Sequence, residues 1–154
     1  MKKFLVWIIA LVMLVLMPAL VYAAAGSCRT TTVHDPLTGA VIGYKMVWLS
    51  DASGDVNGRG AVNMAGHLTG VRFVPDAGGT APSALYDVTL LDDAGLDILH
   101  GAGANLPQSA TDTSNYQTPL TVDGAYIPLF GGQYTPVVTN AGAAKGGTIY
   151  LKVD

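Results

Sequence analysis

Leu85-Tyr86-Asp87-Val88-Thr89-Leu90-Leu91-Asp92-Asp93-Ala94-Gly95-Leu96-Asp97-Ile98-Leu99-His100 is the stretch on which the fold reading turns. Val88, Leu90 and Leu91 stand among Asp87 and Thr89, the pattern of a strand rather than a helix. Asp92 to Gly95 is tight-turn chemistry, with Asp free to bond its own backbone and Gly free to take a positive φ. Leu96 to His100 then reads as the returning strand. A type I turn with a bulge at Asp93-Ala94-Gly95 would set Leu90 opposite Ile98 and Val88 opposite His100.

Working outward, strand and turn signals alternate in both directions. Upstream, His67–Val74 is a strand closed by Pro75-Asp76 and the loop 78–82. Ala40–Leu49 carries Ile42, Tyr44, Met46 and Trp48 on one face and Val41, Val47 and Leu49 on the other, so partial burial on both faces is expected. Thr30–His34 is a short β-branched strand, and Asp35-Pro36-Leu37-Thr38-Gly39 is the turn between these two. Ser50–Gly60 and Pro107–Pro119 are polar loops. Ala125–Leu129, Tyr134–Thr139 and Thr148–Val153 are three more strands, separated by Gly131-Gly132 and by the loop 141–147. Short strands with turn signals between them imply an all-β chain: a single antiparallel β-sandwich, jelly-roll-like or Ig-like, of about eight strands.

The composition agrees. The chain has 154 residues, and its 11 acidic residues are all Asp. With no Glu and few Lys, Gln or Arg, it lacks the residues that build helix surfaces, which excludes a helical bundle or coiled coil. Its net charge of −3 leaves no basic excess to neutralise phosphates, so nucleic acid is not an expected partner.

Residues 1–23 read as a signal helix. Lys2-Lys3 is a basic start, Phe4 to Met17 is unbroken and apolar, Pro18 interrupts it, and Val21-Tyr22-Ala23 offers small residues for cleavage. The rival is a retained anchor, since residues 4–25 are long enough to span a bilayer core. Residues 24–154 form the β-sandwich domain. Removing residues 1–23 takes away two lysines and no acid, which moves the net charge from −3 to −5. Delivery is thus into the periplasm or beyond, with membrane contact through the N-terminal segment alone. Cys28 is the single cysteine, so no internal disulfide forms. It is either a lipidation site after Ala25-Gly26-Ser27 or a thiol, free or intermolecularly paired, on a flexible arm.

No constellation demands chemistry. Asp55, Asn57, Gly60 and Asn63 resemble half of a dockerin-type calcium loop, but Arg59 and Gly66 occupy ligand positions. Starting at Asp51 instead leaves Val56 and Val62 in the wrong places, so Asp51–Gly60 reads as a loop of Asx turns. Asp87, Asp92, Asp93 and Asp97 cluster on the hairpin as turn formers. His34, His67 and His100 share no ligand spacing, and Trp48 reads as a core anchor. The expectation is no enzyme, no catalytic, cofactor or metal residues, and no cofactor.

The run Gly70–Leu99, with Gly101-Ala102-Gly103-Ala104-Asn105-Leu106 and Asn140–Thr148, resembles a group of small all-β proteins encoded by tailed phages and prophages. The resemblance covers residues 50–154 and implies a virion-associated role. It carries over no functional residue. Combined with the signal, it implies an exported structural or accessory protein acting through protein–protein or surface contacts, on a virion or envelope partner. The alternative is a secreted module binding glycan or, weakly, calcium. Oligomeric state is open.

Overall fold

The computed structural model describes residues 25–112, 115–121 and 123–154. Residues 1–23, to which the signal and anchor readings apply, lie outside them. Seven strands are present: β1 Ser27–His34, β2 Val41–Leu49, β3 Val62–Pro75, β4 Asp87–Leu91, β5 Tyr116–Gln117, β6 Ile127–Thr139 and β7 Gly146–Val153. They form one antiparallel sheet in the order β1-β2-β7-β3-β6-β4, with β5 added along β3. Among the described residues no helix is long and apolar enough to cross a membrane.

Two long strands organise the sheet by changing partners along their length. β3 pairs with β6 through Val62–Leu68 and with β7 through Leu68–Pro75. β6 pairs with β3 through Ile127–Tyr134 and with β4 through Thr135–Thr139. Each contains a bulge where the inward face changes parity. On β3, Met64 and Leu68 point inward before Thr69, and Val71 and Phe73 after it. On β6, Ile127 and Leu129 point inward before Gly131-Gly132, and Tyr134 and Val138 after it. An extra residue in one strand shifts its alternation by one, and Gly131 takes the positive φ of +76° that such a bulge favours. The two strands expected at Ala125–Leu129 and Tyr134–Thr139 are therefore one strand, interrupted in pattern and not in pairing.

The hairpin is corrected in its second half. The turn is as expected: Gly95 N–H donates to the Asp92 carbonyl at 2.9 Å, Asp92 N–H to the Leu96 carbonyl at 3.0 Å, and Gly95 has φ +80°. The return is not a strand. Ile98 N–H does reach the Leu90 carbonyl at 2.9 Å, but Val88 N–H bonds Gly103, not His100. Asp97 is the cause. Its Oδ1 accepts from Leu90 N–H at 3.0 Å and Leu99 N–H at 3.1 Å, and its Oδ2 from Gly101 N–H at 3.1 Å. A side chain thus takes donors that a ladder would use, and residues 98–103 coil into turns. The ladder partner of β4 is β6, with Leu90 opposite Pro136. Losing Leu96–His100 as a strand and merging two others, while gaining the short β5, leaves seven strands where about eight were expected.

The core lies between the inward faces. Met46, Val56, Met64, Leu68, Phe73, Tyr86, Leu90, Leu99 and Val138 are all essentially buried. Each large apolar side chain so placed contributes roughly 1.5–3 kcal/mol relative to exposure. Val56, the one large aliphatic of the loop 51–60, bridges to Val138 and fills the core. Trp48 lies 5.8 Å from Tyr86, centroid to centroid, at 42°. Gly147 makes room for it: a Cβ there would meet the indole at 2.8 Å. On β2 Tyr44, Met46 and Trp48 are buried, while Val41, Val47 and Leu49 on the other face are partly covered, at 39–47% exposed. Ile42, expected beside Tyr44, is 40% exposed.

Candidate functional site

The groups singled out in the sequence are spent on holding turns. Asp51 Oδ1 accepts from Ser53 N–H at 2.8 Å and Asp55 N–H at 3.0 Å, an Asx turn. These backbone donors, Asp55 foremost, hold the Asp51 carboxyl below its usual pKa against a smaller opposing effect of burial. Asp35 does the same at its turn, accepting from Thr38 and Leu37 N–H groups, and is likewise lowered. Asp87 holds Asn105 N–H and the Asn140 amide, both at 2.8 Å. Asp92 accepts from Ala94 and Leu96 N–H groups, and Asp93 makes only a 3.3 Å contact with Gln133 N–H. Asp92 and Asp97 thus take donors from their own turns, whereas the donors to Asp87 and Asp93 come from distant parts of the chain.

The histidines stay apart. His34 bonds Thr32 and the Gly39 carbonyl, His67 sits 3.3 Å from Asp154, and His100 lies in the turns after Asp97. Among the described residues no three His, Cys, Asp or Glu side chains gather as a metal site. Trp48 is a core residue, as its sequence context implied. Cys28 is not on a flexible arm. It lies within β1 opposite Trp48, and burial pushes its thiol up to about 11. A Cβ on Gly60 would stand 2.7 Å from its sulfur, so a lipid on Cys28 would have to part β1 from Gly60.

A different surface emerges from strand register. Residues directly opposite one another across an antiparallel pair share a face, so the pairings can be followed from strand to strand. One outward row runs Thr31, Lys45, Tyr150, Arg72, Tyr116 across β1, β2, β7, β3 and β5. The row on one side of it runs Arg29, Val47, Thr148, Val74. The row on the other side runs Val33, Gly43, Lys152, Gly70. At about 4.8 Å per strand the five-residue row spans roughly 20 Å. It alternates cation and aromatic ring from Lys45 to Tyr116. The Lys45 ammonium lies 5.8 Å from the Tyr150 ring centroid, within cation–π reach.

Charge is segregated onto this face. Residues 25–154 contain six Lys and Arg, and Arg29, Lys45, Arg72 and Lys152 are four of them. β1, β2, β3 and β7 contain none of the 11 Asp. Among the described residues the one ion pair is His67–Asp154, so these four cations meet no carboxylate partner. A groove of about 240 Å³ runs beside the central row, lined by Val33, Gly43, Gly70, Arg72, Tyr116 and Lys152 among others. Gly43 and Gly70 line it and are both buried, and a Cβ on Gly43 would collide with the Leu151 carbonyl oxygen of β7. At Gly70 a Cβ would meet the Gln117 carbonyl oxygen, the Lys152 Cβ and the Tyr116 hydroxyl, each at 3.9 Å, so the position is covered by ordinary van der Waals contact.

The sequence carried half of this signal. Lys45, Arg72, Tyr150 and Lys152 each sit at a solvent-facing position between buried neighbours. Their adjacency depends on register between segments far apart in the chain. No known protein family, no curated protein and no solved structure matches this chain.

Proposed function

We propose that the chain is an exported accessory or structural protein that acts by surface contact and not by catalysis, with the outward face of β1-β2-β7-β3 as its working surface. The observation that carries this is the concentration of four carboxylate-free cations, two tyrosines and exposed Val47 and Leu49 on that face. Exposed apolar and aromatic groups within a charged surround are typical of a contact surface. Asp51, Asp92 and Asp97, by contrast, accept hydrogen bonds from local backbone, and Asp87 from Asn105 and Asn140. Export rests on the sequence of residues 1–23, and a phage or prophage origin on the sequence resemblance alone.

A sandwich-like closure of the sheet belongs to the same proposal. It is supported by the partner changes of β3 and β6 and by Trp48 of β2 meeting Tyr86 just before β4. Such closure buries one face of β2 and leaves the other as the contact surface.

The test is a photo-crosslinking residue placed at Thr148 on the face or at Leu96 on the hairpin turn, in the full chain expressed in a bacterial host. Adducts from Thr148 and none from Leu96, in the exported fraction, are expected. Adducts confined to Leu96, or protein found only in the cytoplasm, would overturn the proposal.

A further inference from the structure

We propose that the Lys45–Tyr150–Arg72–Tyr116 row and the groove beside it form a binding site for an acidic polysaccharide. This deepens the surface-contact reading and rests on it. Three features of the face select this ligand class. The site is a shallow open track, suited to a chain laid along it and not to an enclosed small molecule. Tyr116 is 62% exposed and Tyr150 37%, so each offers ring surface to the apolar side of a sugar. Arg72 and Lys152 flank those rings from neighbouring positions, where a planar guanidinium and an ammonium would meet carboxylates carried by the sugars.

The chain's own chemistry disfavours the other occupants. A second copy docking head to tail would have to bring its Asp-rich turns, where Asp87, Asp92 and Asp97 each already accept two or three hydrogen bonds and Asp93 alone accepts a single long one. A nucleic acid presents the same kind of polyanion, and it is the export expected from residues 1–23 that removes it from the setting.

The test is affinity electrophoresis and calorimetry of the exported protein with three polymers: alginate, a linear uronate; dextran, its uncharged counterpart; and oligo(dT). Alginate should bind, with an affinity that falls as salt rises, and dextran should not. Arg72→Ala and Lys152→Ala should each weaken alginate binding about tenfold, or ~1.4 kcal/mol. Tyr150→Phe should bind as the parent does and Tyr150→Ala should not, because the ring carries the contact. Arg59→Ala and Lys145→Ala, off the face, should leave binding unchanged. Absence of alginate binding, tighter binding of oligo(dT), or equal losses in the off-face variants would overturn the proposal. Crosslinks to a protein from Thr148 without alginate binding would sink the polysaccharide site and leave the surface-contact reading standing. Loss of both would remove the two together.

Discussion

The outward face of β2, β7 and β3 and the turns beyond β4 hold most of the polar chemistry of this protein, and they use it in opposite ways. At the turns, Asp97 accepts three backbone N–H groups and Asp92 two, so their oxygens are engaged in shaping the chain. On the face, Arg29, Arg72 and Lys152 have no carboxylate partner, and the Lys45 ammonium rests near a tyrosine ring. Asp92 and Asp97, close together in the sequence, hold the turn and the coil after it. The cations are dispersed in the sequence, and strand register brings them together. Unspent bonding capacity, rather than clustering along the chain, marks the surface available to a ligand.

That contrast can be broken by mutation. The largest effect on stability should come from the core beneath both regions. Leu90→Ala should cost about 2–5 kcal/mol, because Leu90 is 2% exposed and its removal leaves a cavity. Denaturant titration checks this, and a loss under 1 kcal/mol would mean that β4 is not packed as described. Asp97→Ala comes next, at roughly 1–3 kcal/mol, since it strands the N–H groups of Leu90, Leu99 and Gly101. Asp93→Ala should cost less than about 0.5 kcal/mol, its one contact being long and exposed. If Asp93 and Asp97 prove equal, the distinction between turn-forming and idle carboxylates fails.

The pH profile sharpens the same point. Asp35 and Asp51 have carboxyls held below the usual 3.8 by backbone donors. A depressed folded pKa gives stability that is present above 3.8 and is lost as pH falls through the lowered folded value. Melting curves should therefore show a decline below pH 4 that flattens in Asp35→Asn/Asp51→Asn. An unchanged slope in that double variant would place the acid sensitivity elsewhere.

Much of the fold was legible in the sequence. β2, β4 and β7 announce themselves by alternation, and Gly95 by its place after Asp92-Asp93-Ala94. What was not legible follows from bulges and side-chain substitution for backbone. β6 reads as two strands because Gly131-Gly132 reverses its inward parity, and β3 reads short because Asn63, Ala65 and Gly66 give its first half, Val62–Gly66, little apolar alternation. Leu96–His100 reads as a strand because its apolar alternation is genuine, while the Asp97 carboxylate that diverts it looks in sequence like any turn residue. The candidate site was legible as single outward positions only. Nothing local says that Lys45, Arg72 and Tyr150 are neighbours, since that depends on β7 lying between β2 and β3.

The central claim is that the turns maintain the fold and the face binds, so the decisive measurement is thermal melting and alginate retardation on the same preparations of two variants. Arg72→Ala/Lys152→Ala should keep its Tm within about 2 °C and lose retardation, since both side chains are exposed and unpaired. Asp97→Ala should fall by at least about 4 °C and, while folded, be retarded as the parent is. A double variant that melts early but is still retarded, or an Asp97→Ala protein that melts normally and is not retarded, would contradict the account.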